Sequence, residues 1–119
     1  RSFTLAPSRD FSDVRDVVSG YWAALDHGAV GEAYNICSGH SVSISSVAEI
    51  LIGLSSVNDI KIVETGPQPG PGAVLNQVGS AARLTECSGW TPTIPLERGI
   101  ADLLQGWRKE VPNPAVKTG

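Results

Sequence analysis

The sequence predicts an α/β fold with three main helices and a few short strands. Two observations carry this. Apolar residues recur at helical spacing in three separate stretches, and the segments between them are short, rich in β-branched and aromatic residues, and bounded by Gly, Pro and Ser. With 119 residues, 41% of them hydrophobic, the chain has material for one modest core and not for two full domains.

The first helix is read from Val14, Val17, Val18, Tyr21, Trp22 and Leu25, which share one face, with Ser12 or Asp13 as N-cap and Gly28 as the stop. Two bulky aromatics on that face require a broad partner surface such as a sheet. Glu32–Cys37 is short, rich in strand formers and ended by Ser38-Gly39-His40, so it is expected to be a buried strand. Ile44, Val47, Ile50, Leu51 and Leu54 give a second helix, capped either by Ser46 with Glu49 as a capping box or by Ser43. Asp59–Glu64 alternates as a strand does, and Gly66–Gly72, with three Pro and three Gly in seven residues, is a rigid irregular loop. Val74–Val78 has the composition of a further short strand. Ser80 can cap a small helix running through Leu84, with its end marked by Ser88-Gly89. Pro95 suits the first position of a last helix whose face is Leu96, Ile100, Leu103, Leu104 and Trp107. Glu97 in its first turn and Arg108 and Lys109 in its last match the helix dipole.

Charge narrows the function classes. Nine Lys and Arg against twelve Asp and Glu give a net charge of −3, with no basic cluster, which argues against a nucleic-acid or anionic-membrane surface. The best apolar run, Val47–Leu54, is interrupted by Glu49 and falls far short of a membrane span. A soluble, cytoplasmic protein is expected. Cys37 and Cys87 lie far apart, with no second Cys or His at ligand spacing, and are read as reduced, largely buried thiols rather than a disulfide. His27 and His40 sit beside glycines and are expected at the surface, at element ends. Asp10, Asp13 and Asp16 recur every three residues, the pattern of a capped, solvated acidic helix start. The chain opens on Arg-Ser-Phe-Thr and contains no Met, so it reads as a piece of a longer polypeptide.

Several catalytic arrangements are missing from the sequence. There is no Gly-x-Gly-x-x-Gly after a strand, so no turn lays a dinucleotide pyrophosphate against a helix N-terminus. The Gly66–Gly72 loop places Pro where such a turn needs N–H donors. No Gly-x-Ser-x-Gly occurs, and neither Tyr21 nor Tyr34 is followed four residues later by Lys.

One run of short strings carries a resemblance. Arg9-Asp-Phe-Ser-Asp-Val-Arg-Asp-Val-Val18 resembles the Arg-Asp-Phe-Thr-Asp-Val-x-Asp-Val segment of the extended short-chain dehydrogenase/reductases that modify nucleotide-diphosphate sugars, the NAD-dependent epimerase/dehydratase family. Gly31-Glu-Ala-Tyr-Asn-Ile-Cys-Ser-Gly39 is similar to that family's Gly-Glu-x-Tyr-Asn-Ile-Gly-Ser-Gly strand and turn, and Val42-Ser-Ile44 to the helix entry after it. Ser88-Gly-Trp-Thr-Pro92 looks like its Leu-Gly-Trp-x-Pro signature, and Ile94-Pro-Leu-Glu97 like the start of its closing helix. Together these landmarks span residues 9–110. Cys-Ser-Gly after Tyr-Asn-Ile, with Val-Arg-Asp-Val-Val, looks most like the GDP-sugar branch of dehydratases and reductases.

The resemblance implies the C-terminal portion of a Rossmann-type epimerase/dehydratase fold, with residues 1–111 as its substrate-binding lobe and 112–119 as a flexible tail. It implies a parent enzyme that uses NAD(P), with the cofactor glycines and the Tyr and Lys pair upstream, and therefore no cofactor site and no activity in this chain alone. Its partner would be a nucleotide-diphosphate sugar, a GDP-sugar by preference, with self-association through apolar faces left uncovered. Arg9 matches the family arginine that reaches the sugar-nucleotide pyrophosphate, as suits a guanidinium's fork of donors; the competing reading pairs it with Asp10 or Asp13. A second phosphate-binding Arg is expected in an Arg-Pro-Gly-Asp string where this chain has Gln68-Pro-Gly-Pro71, with Gly70 opposite that Arg if the gap is placed differently. Asn35 falls in the matching strand motif and is expected to bond backbone beside the turn. A free-standing non-catalytic module, binding a sugar nucleotide weakly or docking another protein, is the alternative function.

Overall fold

The computed structural model describes residues 4–111. Its elements run β1 (Ser8–Asp10), α1 (Val14–His27), β2 (Ser41–Ser43), α2 (Ile44–Gly53), α3 (Ala82–Ser88) and α4 (Leu96–Glu110). The strands β1 and β2 pair antiparallel, with Ser8 opposite Ser43, Arg9 opposite Val42 and Asp10 opposite Ser41. On the other edge of β1, Ser8 N–H donates to the Leu75 carbonyl at 2.7 Å and the Ser8 carbonyl accepts from Gln77 N–H at 3.1 Å, forming one parallel bridge to Asn76. β1 is thus the middle of a three-segment ladder, bonded on both edges.

The helix ends follow local chemistry. Asp13 caps α1 by accepting from Arg15 N–H at 2.9 Å, and Gly28 closes it by donating to the Ala24 carbonyl at 2.8 Å. For α2 the cap is Ser43, whose hydroxyl accepts from Ser46 N–H at 3.1 Å. The Ser46 and Glu49 box is therefore not used, because Ser46 already lies in the first turn. α3 starts two residues beyond Ser80 and runs to Ser88, where Gly89 at φ 74° takes the left-handed conformation that ends it. Pro95 is the N-cap of α4 rather than its first helical residue.

Packing is thin. α1 lies against α3 and α2 against α4, and among the described residues the buried hydrophobic ones are Leu84, Trp90 and Ile100. Gly20 allows α1 to approach the neighbouring segments closely, since a Cβ there would stand 2.8 Å from Ile36 Cγ2 and 3.2 Å from Trp90 Cε2. Trp90 is anchored by its indole N–H, which donates to Ser19 Oγ at 2.9 Å. Most of the predicted α1 face, Val14, Val18, Tyr21, Trp22 and Leu25, is exposed, as are Leu103 and Trp107 on α4.

The strand expectations need correction. Glu32–Cys37 is not a strand and is at most half-buried, because among the described residues no neighbouring segment bonds along it; a strand exists only where a ladder satisfies its backbone. Asp59–Glu64 is exposed coil, opened by Asp59 at φ 63°. Val74–Val78 contributes only the bridge at Asn76. The strands that do form, β1 and β2, are three residues each and polar, and no period-two pattern marked them. Among the described residues, no helix is long and apolar enough to cross a membrane. The tail expected at 112–119 lies outside the described residues.

Candidate functional site

Arg9 sits half-buried on the central segment of the ladder, across from Val42. Its Nη1 donates to the Ser8 carbonyl at 2.8 Å, and it forms no ion pair among the described residues. The two carboxylates that compete for it in the sequence are engaged elsewhere. Asp10 accepts from Ser38 N–H at 2.9 Å, Ser38 Oγ at 2.5 Å, Gly39 N–H at 3.0 Å and Gly79 N–H at 3.1 Å. Burial pushes the Asp10 carboxyl up, but the bonds from Ser38, Gly79 and Gly39 outweigh it and hold it below its ordinary value. Asp13 forms a bidentate pair with Arg15, at 2.9 Å through both Nε and Nη2, and Arg15 Nη2 also reaches Asp102 on α4 at 2.8 Å. The Arg15 side-chain bond, with the Arg15 N–H at the cap, lowers the Asp13 carboxyl to about 2.

Asp16 departs furthest from the expected solvated helix start. It is buried on α1, where it accepts from Thr93 N–H, Thr93 Oγ1 and Ile94 N–H. The three aspartates thus belong to three local structures: a strand end, an N-cap and a buried helix face. Sequence reading missed the intramolecular hydrogen-bonding roles of Asp10 and Asp16. The available signal was the spacing itself, because Asp10 precedes the cap at Asp13 and so could not share a helix edge with the others.

A cleft adjoins the ladder at Val42. Val42, opposite Arg9, lines a space of about 460 Å³ together with Phe11, Ser38, His40, Thr93 and Glu97. Arg9 itself does not line it. A second cleft of about 540 Å³ lies between the start of α1, Val47 of α2 and α4, with an apolar wall of Phe11, Val14, Leu96, Ile100 and Leu103.

Gln68 lies exposed in the irregular loop, and among the described residues the Arg9 side chain bonds only to the Ser8 carbonyl, not to Gln68. Asn35 is exposed and makes no side-chain hydrogen bond among the described residues, so it does not bond backbone beside the turn. His27 ends α1 and His40 precedes β2, both exposed. Both thiols are free. Cys37 is half-buried, with its pKa raised first by burial and then by the Asp10 carboxylate, whereas Cys87 is exposed rather than buried. The exposed Arg83 pairs with Glu32 at 2.6 Å and lies 5.6 Å from the centre of the Tyr34 ring. Chemically, the arrangement offers a cation on a strand bonded along both edges.

Residues 3–37, which include Arg9, Asp10, Asp13 and Asp16, match the NAD dependent epimerase/dehydratase family. The GDP-6-deoxy-D-mannose reductase of Pseudomonas aeruginosa is 36% identical over 104 residues, covering 87% of this chain and 34% of that enzyme. The structure of RMD from Pseudomonas aeruginosa complexed with NADPH superposes with a TM-score of 0.83 at 34% identity, over 90% of this chain and 35% of that one. The chain is thus similar to members of the epimerase/dehydratase family. A dTDP-glucose 4,6-dehydratase from Bacillus anthracis in complex with NAD follows at a TM-score of 0.74 and 25% identity, over 91% of this chain and 33% of that one. The Thermotoga maritima UDP-glucose 4-epimerase with UDP-glucose shares the fold, with a TM-score of 0.80 at 24% identity and 92% and 34% coverage. The chain spans about a third of the length of the relatives it matches. The expected fold class holds: an α/β portion of a Rossmann-type epimerase/dehydratase fold.

Proposed function

We propose that residues 1–111 are the nucleotide-sugar-binding C-terminal lobe of a cytoplasmic NAD(P)-dependent GDP-sugar reductase or dehydratase, with 112–119 a flexible tail, and that this chain is inactive by itself. The observation that carries the reading is Arg9: its strand is bonded on both edges, its competing carboxylates are occupied by Ser38, Gly39, Gly79 and Arg15, and its guanidinium is left to meet an anion. Fork-shaped donors on a fixed strand suit a pyrophosphate. The identity to a GDP-6-deoxy-D-mannose reductase favours a GDP-sugar. NAD(P) would be held by the part of the parent enzyme that carries a glycine-rich turn, since this chain has none.

A second reading, a free-standing non-catalytic module, is favoured by one residue: Gln68 stands where the resemblance expects a second phosphate-binding Arg. Gln68 can donate a hydrogen bond but lacks the charge and the fork, so affinity about tenfold weaker than with two arginines follows. GDP-mannose titrated into the chain by NMR should bind in roughly the millimolar range. Gln68→Arg should tighten binding about tenfold and steepen its salt dependence, and Arg9→Ala should abolish it. Identical shift patterns and midpoints for wild type and Arg9→Ala would remove the phosphate role and favour the module. NADPH added to the same chain in a calorimeter should give no saturable heat; saturable binding would contradict a lobe without its own cofactor site.

A further inference from the structure

The strand that carries Arg9 is only three residues long, so what fixes the guanidinium is the way its two neighbours are tied. Ser8 is held through its backbone, by Leu75 and Gln77 on one edge and by register with Ser43 on the other. Asp10 is held through its side chain. Its carboxylate accepts four hydrogen bonds, from Ser38 N–H, Ser38 Oγ, Gly39 N–H and Gly79 N–H, and so gathers the strand end, the turn after residue 37 and the segment entering α3 onto one group. Alternation along a strand puts Arg9 on the opposite face, where the Asp10 carboxylate does not compete for the guanidinium. Every donor is a backbone N–H or a hydroxyl, so only a group that accepts with both oxygens fits the position.

We infer that Asp10 is a positioning residue for phosphate recognition, setting the direction in which Arg9 leaves β1. The inference rests on Arg9 being the phosphate ligand. A bidentate contact is sensitive to direction as well as distance, and a support that holds the strand end keeps the fork aligned before the ligand arrives. Asn at position 10 keeps the shape but turns an NH2 toward groups that are themselves donors, which removes part of the tie and leaves Arg9 unaltered.

The test uses the 119-residue chain as wild type, Asp10→Asn, Ser38→Ala and Ser88→Ala. Ser38→Ala removes one of the four bonds and serves if Asp10→Asn fails to fold. Ser88→Ala removes hydrogen bonds to the Leu84 carbonyl and from Trp90 N–H, away from the ladder. Two quantities are read: the Arg9 Nε–Hε resonance of the free protein, and the midpoint of a GDP-mannose titration. Asp10→Asn should move the resonance and weaken binding about tenfold, Ser38→Ala should do both by about two- to threefold, and Ser88→Ala should do neither. Binding by wild type that Asp10→Asn and Ser38→Ala leave intact would overturn the positioning role alone. Equal weakening by Ser88→Ala would overturn it too, as a general stability effect. No binding by wild type would overturn the phosphate reading and this inference with it.

Discussion

Asp16→Ala is expected to cost about 3 kcal/mol and to release the segment leading into α4, because it leaves two amides and a hydroxyl without their acceptor. The residue is 4% exposed, and it accepts from Thr93 N–H and Thr93 Oγ1 at 3.1 Å and from Ile94 N–H at 2.9 Å. A buried donor that loses its partner costs roughly 1–3 kcal/mol. Thr93 is itself exposed, so water can repair part of the damage there and the lower end of that range applies to its two donors; Ile94 is half-buried and cannot be repaired as easily. At about 1.4 kcal/mol per factor of ten, amide hydrogen exchange at Thr93 and Ile94 should accelerate roughly a hundredfold. Asp16→Asn, which keeps one acceptor oxygen, should fall about midway on the logarithmic scale. Unchanged protection at both amides in Asp16→Ala would mean that this carboxylate does not hold the segment.

The same residues show what was legible in the sequence and what was not. The helices were written in local pattern: the 3.6-residue apolar period, Asp13 at the cap of α1, Gly28 and Gly89 at helix ends. Such signals need only near neighbours. The strands were not legible, because β1 and β2 are short polar segments whose pairing is decided by residues far along the chain, as Ser8 opposite Ser43 shows. Glu32–Cys37 failed in the opposite sense, having strand composition without a partner along which to bond. Arg9 was legible only through the resemblance; that its rival carboxylates are taken by Ser38, Gly39, Gly79 and Arg15 is a tertiary fact. The uncovered helix face was legible in one respect, since two aromatics among the apolar residues of α1 called for a broad partner surface that the described residues do not supply.

That face leads to the other large effect: the chain on its own should associate, and substitutions on α1 should reverse it. Trp22 is 71% and Leu25 82% exposed, and Val14, Val18 and Tyr21 extend the same surface. Isolated exposed hydrophobics are ordinary, but a run of them with two aromatics along one helix marks a contact surface. Covering Trp22, Tyr21 and Leu25 would remove a few hundred Å² of apolar area, worth on the order of 5 kcal/mol at about 25 cal/mol per Å², and two copies facing each other would gain that twice before the cost of association is subtracted. The balance favours a dimer or larger species over a lone chain, unless the remainder of a larger fold covers the helix first. Trp22→Glu with Leu25→Lys places charges where the contact would form and should weaken association at least a hundredfold, shifting sedimentation and light scattering toward the monomer. Neither residue lies on the ladder that holds Arg9, so the double variant should bind GDP-mannose as wild type does. A wild-type chain that stays monomeric at high concentration and unfolds cooperatively would show instead that the small core around Leu84, Trp90 and Ile100 suffices, and that the α1 face needs no cover.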